Sequence, residues 1–179
     1  NLDGLHNAAQ RGFFDWMVAQ QADVVCLQQT LSHEHELPEP LRQPGGYFSY
    51  FYDAYEKEHG GVAIYCKRPP KAVMRGLGLM EADVEGRYMQ VDYDQISIVS
   101  LCLPAVTLQD EHNRQLRQQM RKKLLNHLGK VRNKRREFIF CGDFQVAHLD
   151  IDSLNSTEAQ DNHCLSDELG EWMDDLLDG

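Results

Sequence analysis

Asp143 is the side chain of this chain best placed to do chemistry. It follows the β-rich run Glu137-Phe138-Ile139-Phe140-Cys141, is preceded by Gly142, and has His148 five residues further on. A buried strand that stops at a carboxylate aims an acid into a polar cleft. Three other segments carry polar residues at comparable places: Asn1-Leu2-Asp3-Gly4-Leu5, Cys26-Leu27-Gln28-Gln29-Thr30 and Leu101-Cys102-Leu103-Pro104-Ala105. The last two follow apolar strands directly, as the Asp143 segment does, so all of these residues could converge at one edge of the sheets.

The elements that must position them alternate in period. Residues 7–20 place Ala9, Phe13, Trp16 and Met17 on one helical face, and Ala22–Leu27 is a Val-rich run suited to a strand buried on both sides. Residues 31–45 hold His, polar residues and three prolines and read as a loop. Strands are expected at Tyr47–Tyr52, Gly61–Cys66, Lys71–Leu77, Arg87–Tyr93 and Gln95–Leu101, the last two joined by a tight hairpin at Asp94. Leu116, Met120, Leu124 and Leu128 mark a long amphipathic helix ending near Gly129. A final helix starts near Ser166, with Leu169, Trp172, Met173 and Leu176 as its apolar face. The pattern is α/β (α+β) with many antiparallel pairs, best met by two sheets packed as a sandwich and covered by helices.

The 179 residues have the length of one domain, and no apolar run is long enough to cross a bilayer. The opening Asn1-Leu2-Asp3-Gly4 reads as the end of a strand whose beginning is missing, so a fragment of a longer protein is expected. Five cysteines form no CxxC pair, and four lie in strand-like runs. A reducing cytoplasm is therefore expected, without a disulfide framework or zinc-cysteine site. The net charge is −10, yet ten of the 18 Lys and Arg fall between Arg114 and Arg136, while Glu158–Asp178 holds eight acids and no base. Charge is thus polarised, with one basic element able to meet phosphates through Arg121, Lys122, Lys134 and Arg135, or else simply a solvated helix face.

Two further signals favour plain readings. His33-Glu34-His35-Glu36 resembles a metal cluster, but two His at i+2 in a Pro-flanked loop share no helical face, so a surface loop is expected. Tyr47, Tyr50, Phe51, Tyr52 and Tyr55 could stack on bases, but strand aromatics pack more often in cores.

Several motifs stand in order along the chain: Asn-x-Asp-Gly-Leu at 1–5, Asp-Val-Val-Cys-Leu-Gln-x-Thr at 23–30, Gly-Gly-Val-Ala-Ile at 60–64, Glu85-Gly86-Arg87, Leu103-Pro104, and Cys-Gly-Asp-Phe-x-Val-Ala-His at 141–148 with Ile151-Asp152. In order and spacing they resemble the exonuclease III / AP endonuclease family. That resemblance implies a single DNase I-like domain over 1–179, a four-layered sandwich incomplete at both ends. It also implies phosphodiester hydrolysis assisted by Mg²⁺ or Mn²⁺. Asn1, Asp3 and Asp143 match metal-site positions, and Asp143 matches the acid that prepares the attacking water, with Arg87 near the nucleic acid.

Three positions depart from the family pattern: Gln29 replaces the Glu metal ligand, Gln145 replaces Asn, and Cys102 replaces Tyr. Gln29 keeps the shape of Glu but loses its charge, and one lost preorganised contact typically costs about 10²–10³ in rate. Gln145 displaces its amide, and a misplacement of ~1 Å can cost about 10²-fold. Cys102 lacks a phenolic hydroxyl. The set of departures is similar to the catabolite repression control (Crc) branch, also signalled by Gly86-Arg87-Tyr88-Met89-Gln90 and Lys134-Arg135-Arg136-Glu137. Crc-like proteins have lost the active site and block translation with the chaperone Hfq on A-rich messenger RNA. The expectation is therefore an impaired, RNA-linked regulator that needs no metal. The alternative is an active Mg²⁺-dependent AP endonuclease or 3′–5′ exonuclease acting on DNA. Neither reading involves a membrane or specifies an oligomeric state.

Overall fold

The computed structural model describes residues 1–105, 110–132, 134–145 and 167–178. These form two units, Asn1–Cys102 with Arg135–Asp143 and Leu103–Lys134 with Phe144–Gly179. Expectations for His148, Asp152, Cys164 and Ser166 lie outside the described residues. Among the described residues no helix is long and apolar enough to cross a membrane.

The first unit contains both sheets. Helices α1 (Leu5–Gln10) and α2 (Phe13–Gln20) precede β1 (Val24–Gln28). A short helix α3 (Glu39–Arg42) leads to β2 (Phe48–Tyr52) and β3 (Val62–Cys66). Strand β4 (Ala72–Arg75), helix α4 (Met80–Val84), β5 (Tyr88–Asp92), β6 (Ile96–Cys102) and β7 (Glu137–Asp143) complete it. One sheet has the order β1-β3-β2 and the other β4-β5-β6-β7. All pairs are antiparallel except β6 with β7, where Cys102 stands opposite Asp143.

β3 is buried along its whole length, as a central strand between two apolar layers must be. Its alternation sends Ala63 and Tyr65 toward Leu5, Phe14 and Met17, while Val62, Ile64 and Cys66 meet Met89, Val91 and Ile98 between the sheets. β5 alternates as expected, with Met89 and Val91 in the inter-sheet core. On its other face Tyr88 donates to Gln90 at 3.1 Å, and Gln90 to Asp92 at 2.7 Å. Tyr88 and Gln90 are buried and Asp92 is half-buried, so these hydrogen bonds stand in for the lost solvent.

Three local expectations change. The single helix over 7–20 is two helices, because Gly12 takes the left-handed conformation (φ 77°) and restarts the helical phase. Phe14 and Met17 are consequently buried and Trp16 is 57% exposed. The loop over 31–45 contains a 3₁₀ turn at Glu34–Glu36 and helix α3, started by Pro38 and Pro40 in positions where a missing N–H costs nothing. In the second unit, the long helix α5 (Glu111–Val131) runs through Gly129 instead of ending there.

α5 begins at Asp110, whose carboxylate accepts the Asn113 N–H at 3.0 Å. Leu116, Met120 and Leu124 form its buried stripe, joined by Arg117. Helix α6 (Asp167–Asp178) supplies Trp172, 4% exposed, with the Arg121 guanidinium 4.9 Å from its ring centroid and Phe144 packed at 6.4 Å. This arginine is engaged by an aromatic face.

Candidate active site

The N-terminal segment reaches the site by lying beside the end of β1. Leu2 N–H donates to Gln28 O at 2.9 Å, Gly4 N–H to Gln29 O at 3.2 Å, and Leu5 N–H to Thr30 O at 2.9 Å. Thr30 and Leu31 N–H groups in turn bond Gly61 and Gly60 carbonyls. Gly61 has φ +86° and a Cβ there would lie 2.2 Å from the Thr30 hydroxyl, so the Gly-Gly motif permits this close docking. Across the sheets, Gln28 Nε2 donates to Ser100 Oγ at 3.0 Å, and Ser100 Oγ donates to Leu27 O at 3.1 Å. The ends of β1 and β6 are thereby locked together.

Into this frame β7 delivers Asp143, whose Oδ2 accepts from Asn1 Nδ2 at 2.5 Å. Gly142 precedes it because a Cβ at that position would stand 2.4 Å from Leu101 O. Cys102, opposite Asp143 in register, is 1% exposed. Its thiol is pushed up to about 11, chiefly by burial, with the Asp143 charge adding and Arg87 opposing. The Gln29 side chain is hydrogen-bonded to that thiol. Asn1, Gln29, Cys102 and Asp143 are therefore brought together, around a thiol that stays neutral near pH 7.

Asp3 is turned differently. It is exposed, and its Oδ2 accepts from Asn7 Nδ2 at 3.1 Å. Gln145 lies in the second unit with φ 51°, and its carbonyl accepts from the Arg117 guanidinium. Gln29 too is left-handed, at φ 57°. Such backbone in a non-glycine residue costs on the order of 1–3 kcal/mol and concentrates at functional sites. Asn tolerates it better than Gln, so Gln145 is the less comfortable residue at its position.

Among the basic residues, Arg87 is 7% exposed, and its place is inside the fold rather than at a nucleic-acid surface. Its guanidinium pairs with Glu85 and donates to Cys102 O at 3.3 Å and His59 O at 3.1 Å. Glu-Gly-Arg is thus a structural motif, with Gly86 at φ +60° against Tyr52 O. Lys122, Lys134 and Arg135 are exposed, whereas Arg121 is half-buried over Trp172. Of the aromatic set, Tyr47 and Phe51 are core, and Tyr55 is 81% exposed. Sequence reasoning missed Arg117, Asn7 and Ser100. Arg117 had a signal, a charge adjoining the Leu116–Met120 apolar stripe; the other two had none.

Two other thiols face each other between the sheets. Cys26 leans on the inter-sheet core, and Cys141 stands beside Ser100 in register. A hydrogen bond from Cys26 lowers the Cys141 thiol to about 7, while the Cys26 thiol is raised. A lowered thiol ionises earlier as pH rises, and the thiolate is the nucleophile. Peptide mapping after iodoacetamide treatment around pH 7 is expected to find Cys141 labelled well before Cys102. Equal labelling of the two would contradict this assignment.

The carboxylate and amide oxygens of Asp143, Asn1 and Gln29 suit a hard divalent cation and the neutral Cys102 thiol does not, but only Asp143 contributes a full charge while Asp3 is held by Asn7. The set fits such an ion with a weakened hold.

The model for the endonuclease/exonuclease/phosphatase family matches residues 1–176, so the chain belongs to that family. A DNA-(apurinic or apyrimidinic site) endonuclease of Dictyostelium discoideum is 30% identical over 156 residues, 87% of this chain and 43% of that protein. An exodeoxyribonuclease of Bacillus subtilis is 27% identical, with 94% of this chain and 65% of that protein covered. The chain spans less than two thirds of the length of these curated relatives. Among solved structures, an AP endonuclease from Archaeoglobus fulgidus superposes with a TM-score of 0.86 at 23% identity, covering 99% of this chain and 68% of that one. The fold is accordingly the DNase I-like one, two sheets with flanking helices, as the motifs implied.

Proposed function

We propose that the protein is a phosphodiesterase of the exonuclease III / AP endonuclease type that acts on DNA, with a cation held less firmly than in its relatives. One observation carries this reading. The Asn1–Asp143 hydrogen bond, between residues 142 apart in sequence, keeps the carboxylate at the end of β7 aimed beside Gln29 and Cys102. The names of the relatives, endonuclease and exodeoxyribonuclease, support DNA as the substrate.

In this reading Asp143 orients the attacking water and takes its proton, while Asn1 holds the carboxylate in a single orientation. Gln29 offers an amide carbonyl where charge would be more effective. A bound Mg²⁺ or Mn²⁺ would supply neutralisation of the charge growing on the phosphate oxygens, held by Asp143 and Asn1. Exposed Lys122, Lys134 and Arg135 would contact backbone phosphates, giving affinity that falls with salt.

A second reading, the Crc-like regulator acting with Hfq on A-rich RNA, is favoured by a different observation. Gln29 is uncharged and bonded to a neutral, buried thiol, an arrangement that needs no cation. Full-length protein incubated with an abasic-site duplex and Mg²⁺ separates the two. Scission that stops with EDTA and with Asp143→Asn supports the nuclease. An intact duplex together with retarded A-rich RNA in the presence of Hfq would replace it with the regulator.

A further inference from the structure

The segment that follows Gln29 carries a second group of ligating side chains, which spacing alone argued against. His33, His35 and Glu36 present ligand atoms that all lie within 4.8 Å of one another. They meet because Glu34–Glu36 is a 3₁₀ turn, in which residues three apart stack along one edge. His33 Nδ1 stands 4.0 Å from Glu36 Oε1, and the two imidazole rings stack at 5.3 Å.

The turn is anchored on both sides. The Glu34 N–H donates to Asp53 Oδ2 at 2.8 Å, and the Glu36 N–H closes back on His33 O at 3.0 Å. His33 Nε2 lies 3.1 Å from Ala54 O. A carbonyl only accepts, so Nε2 carries a proton, and the ring nitrogen that a metal ion can take is Nδ1, on the side of Glu36. An imidazole oriented by a backbone carbonyl through its other nitrogen is the arrangement that metal-bound histidines take.

From this geometry we propose that His33, His35 and Glu36 form a binding site for a borderline divalent cation, Zn²⁺ foremost, separate from the oxygen donors around Asp143. Imidazole selects Zn²⁺ over Mg²⁺, which prefers oxygen ligands. Ligand atoms around a tetrahedral zinc are about 3.3 Å apart, given bonds of about 2.0–2.1 Å. The observed spacing therefore requires a contraction on the order of 1 Å, within reach of side-chain rotation for the exposed His35 and Glu36. Water would complete the coordination.

Lys57 is the competitor, with Nζ at 3.1 and 3.3 Å from the Glu36 oxygens. Zinc must displace that ammonium, so the site is occupied only where the ion outcompetes an exposed ion pair. The cluster starts four residues after Gln29, and occupancy would stiffen the stretch that leads out of β1.

Calorimetric titration of Zn²⁺ into full-length protein carrying Asp143→Asn, which disarms the other donor set, tests the proposal. One saturable site is expected. His35→Ala and His33→Ala should each weaken it by about 100-fold, since even outer partners of metal ligands cost about 10–100-fold. Lys57→Met should tighten it by about 2–5-fold, a gain that no folding defect produces. Excess Mg²⁺ should not displace the zinc. His35 is exposed, so its removal leaves the fold intact. Absence of saturable binding, or binding unchanged by His35→Ala and Lys57→Met, would overturn the site.

Discussion

Replacing Gln29 by Glu is expected to raise Mg²⁺-dependent scission of an abasic-site duplex by about 10²–10³-fold, the size of one preorganised electrostatic contact. The backbone around position 29 is already set. Its carbonyl accepts from Gly4, and the next two N–H groups bond Gly61 and Gly60. Glu keeps the shape of Gln there but adds a charge and exchanges the amide donor beside the Cys102 thiol for an acceptor, to which the neutral thiol can donate instead. Gln29 and Asp143 both act on the Cys102 thiol, one by a hydrogen bond and one by its field. Two carboxylates so placed repel unless a cation lies between them. The variant should therefore unfold more easily than the parent in EDTA and be the more strongly stabilised of the two by Mg²⁺, which denaturant titration with and without the ion will read. If Mg²⁺ leaves both stability and scission of Gln29→Glu at parental levels, the assignment of position 29 to the cation site is wrong.

Gln145→Asn is a natural companion because Asn suits φ 51°. Cys102→Tyr is not. Cys102 is 1% exposed within the inter-sheet core, and a phenol inserted there would overpack it, at a typical cost of about 1–3 kcal/mol.

Arg87→Met is expected to destabilise the protein by roughly 3–5 kcal/mol, the cost of stranding one member of a buried ion pair. The Arg87 and Glu85 side chains are only 8% and 14% exposed. Removing the guanidinium leaves the Glu85 carboxylate without its partner, and the Cys102 and His59 carbonyls each lose a donor. The double variant Glu85→Met with Arg87→Met should recover much of the loss, since two apolar side chains leave no orphaned charge. Urea midpoints of the three variants decide the matter. A loss below about 1 kcal/mol for Arg87→Met would place the pair in the weak class of exposed ion pairs.

Strand-forming runs were legible because burial on both faces demands long apolar stretches. β3 and β6 show this directly, with Val62–Cys66 buried throughout and Ser97–Cys102 buried to the strand end. The Gly-Gly, Glu-Gly-Arg and Cys-Gly-Asp motifs were equally readable, since each marks a backbone approach that a Cβ would block. Local rules failed at two glycines. Gly12 split a helix whose periodicity ran on across it, and Gly129 failed to stop α5. A glycine permits a left-handed turn but does not impose one.

Residue types and their order determined the family, the two sheets and the carboxylate at the end of β7. Tertiary structure alone decided which polar groups meet. Asn1 reaches Asp143, Asp3 turns to Asn7, Arg87 is enclosed by Glu85 and two carbonyls, and His33 is oriented by Ala54. The physical reason is that alternation and apolar content act along the chain, whereas a side-chain hydrogen bond depends on segments that only folding brings within 3 Å of each other.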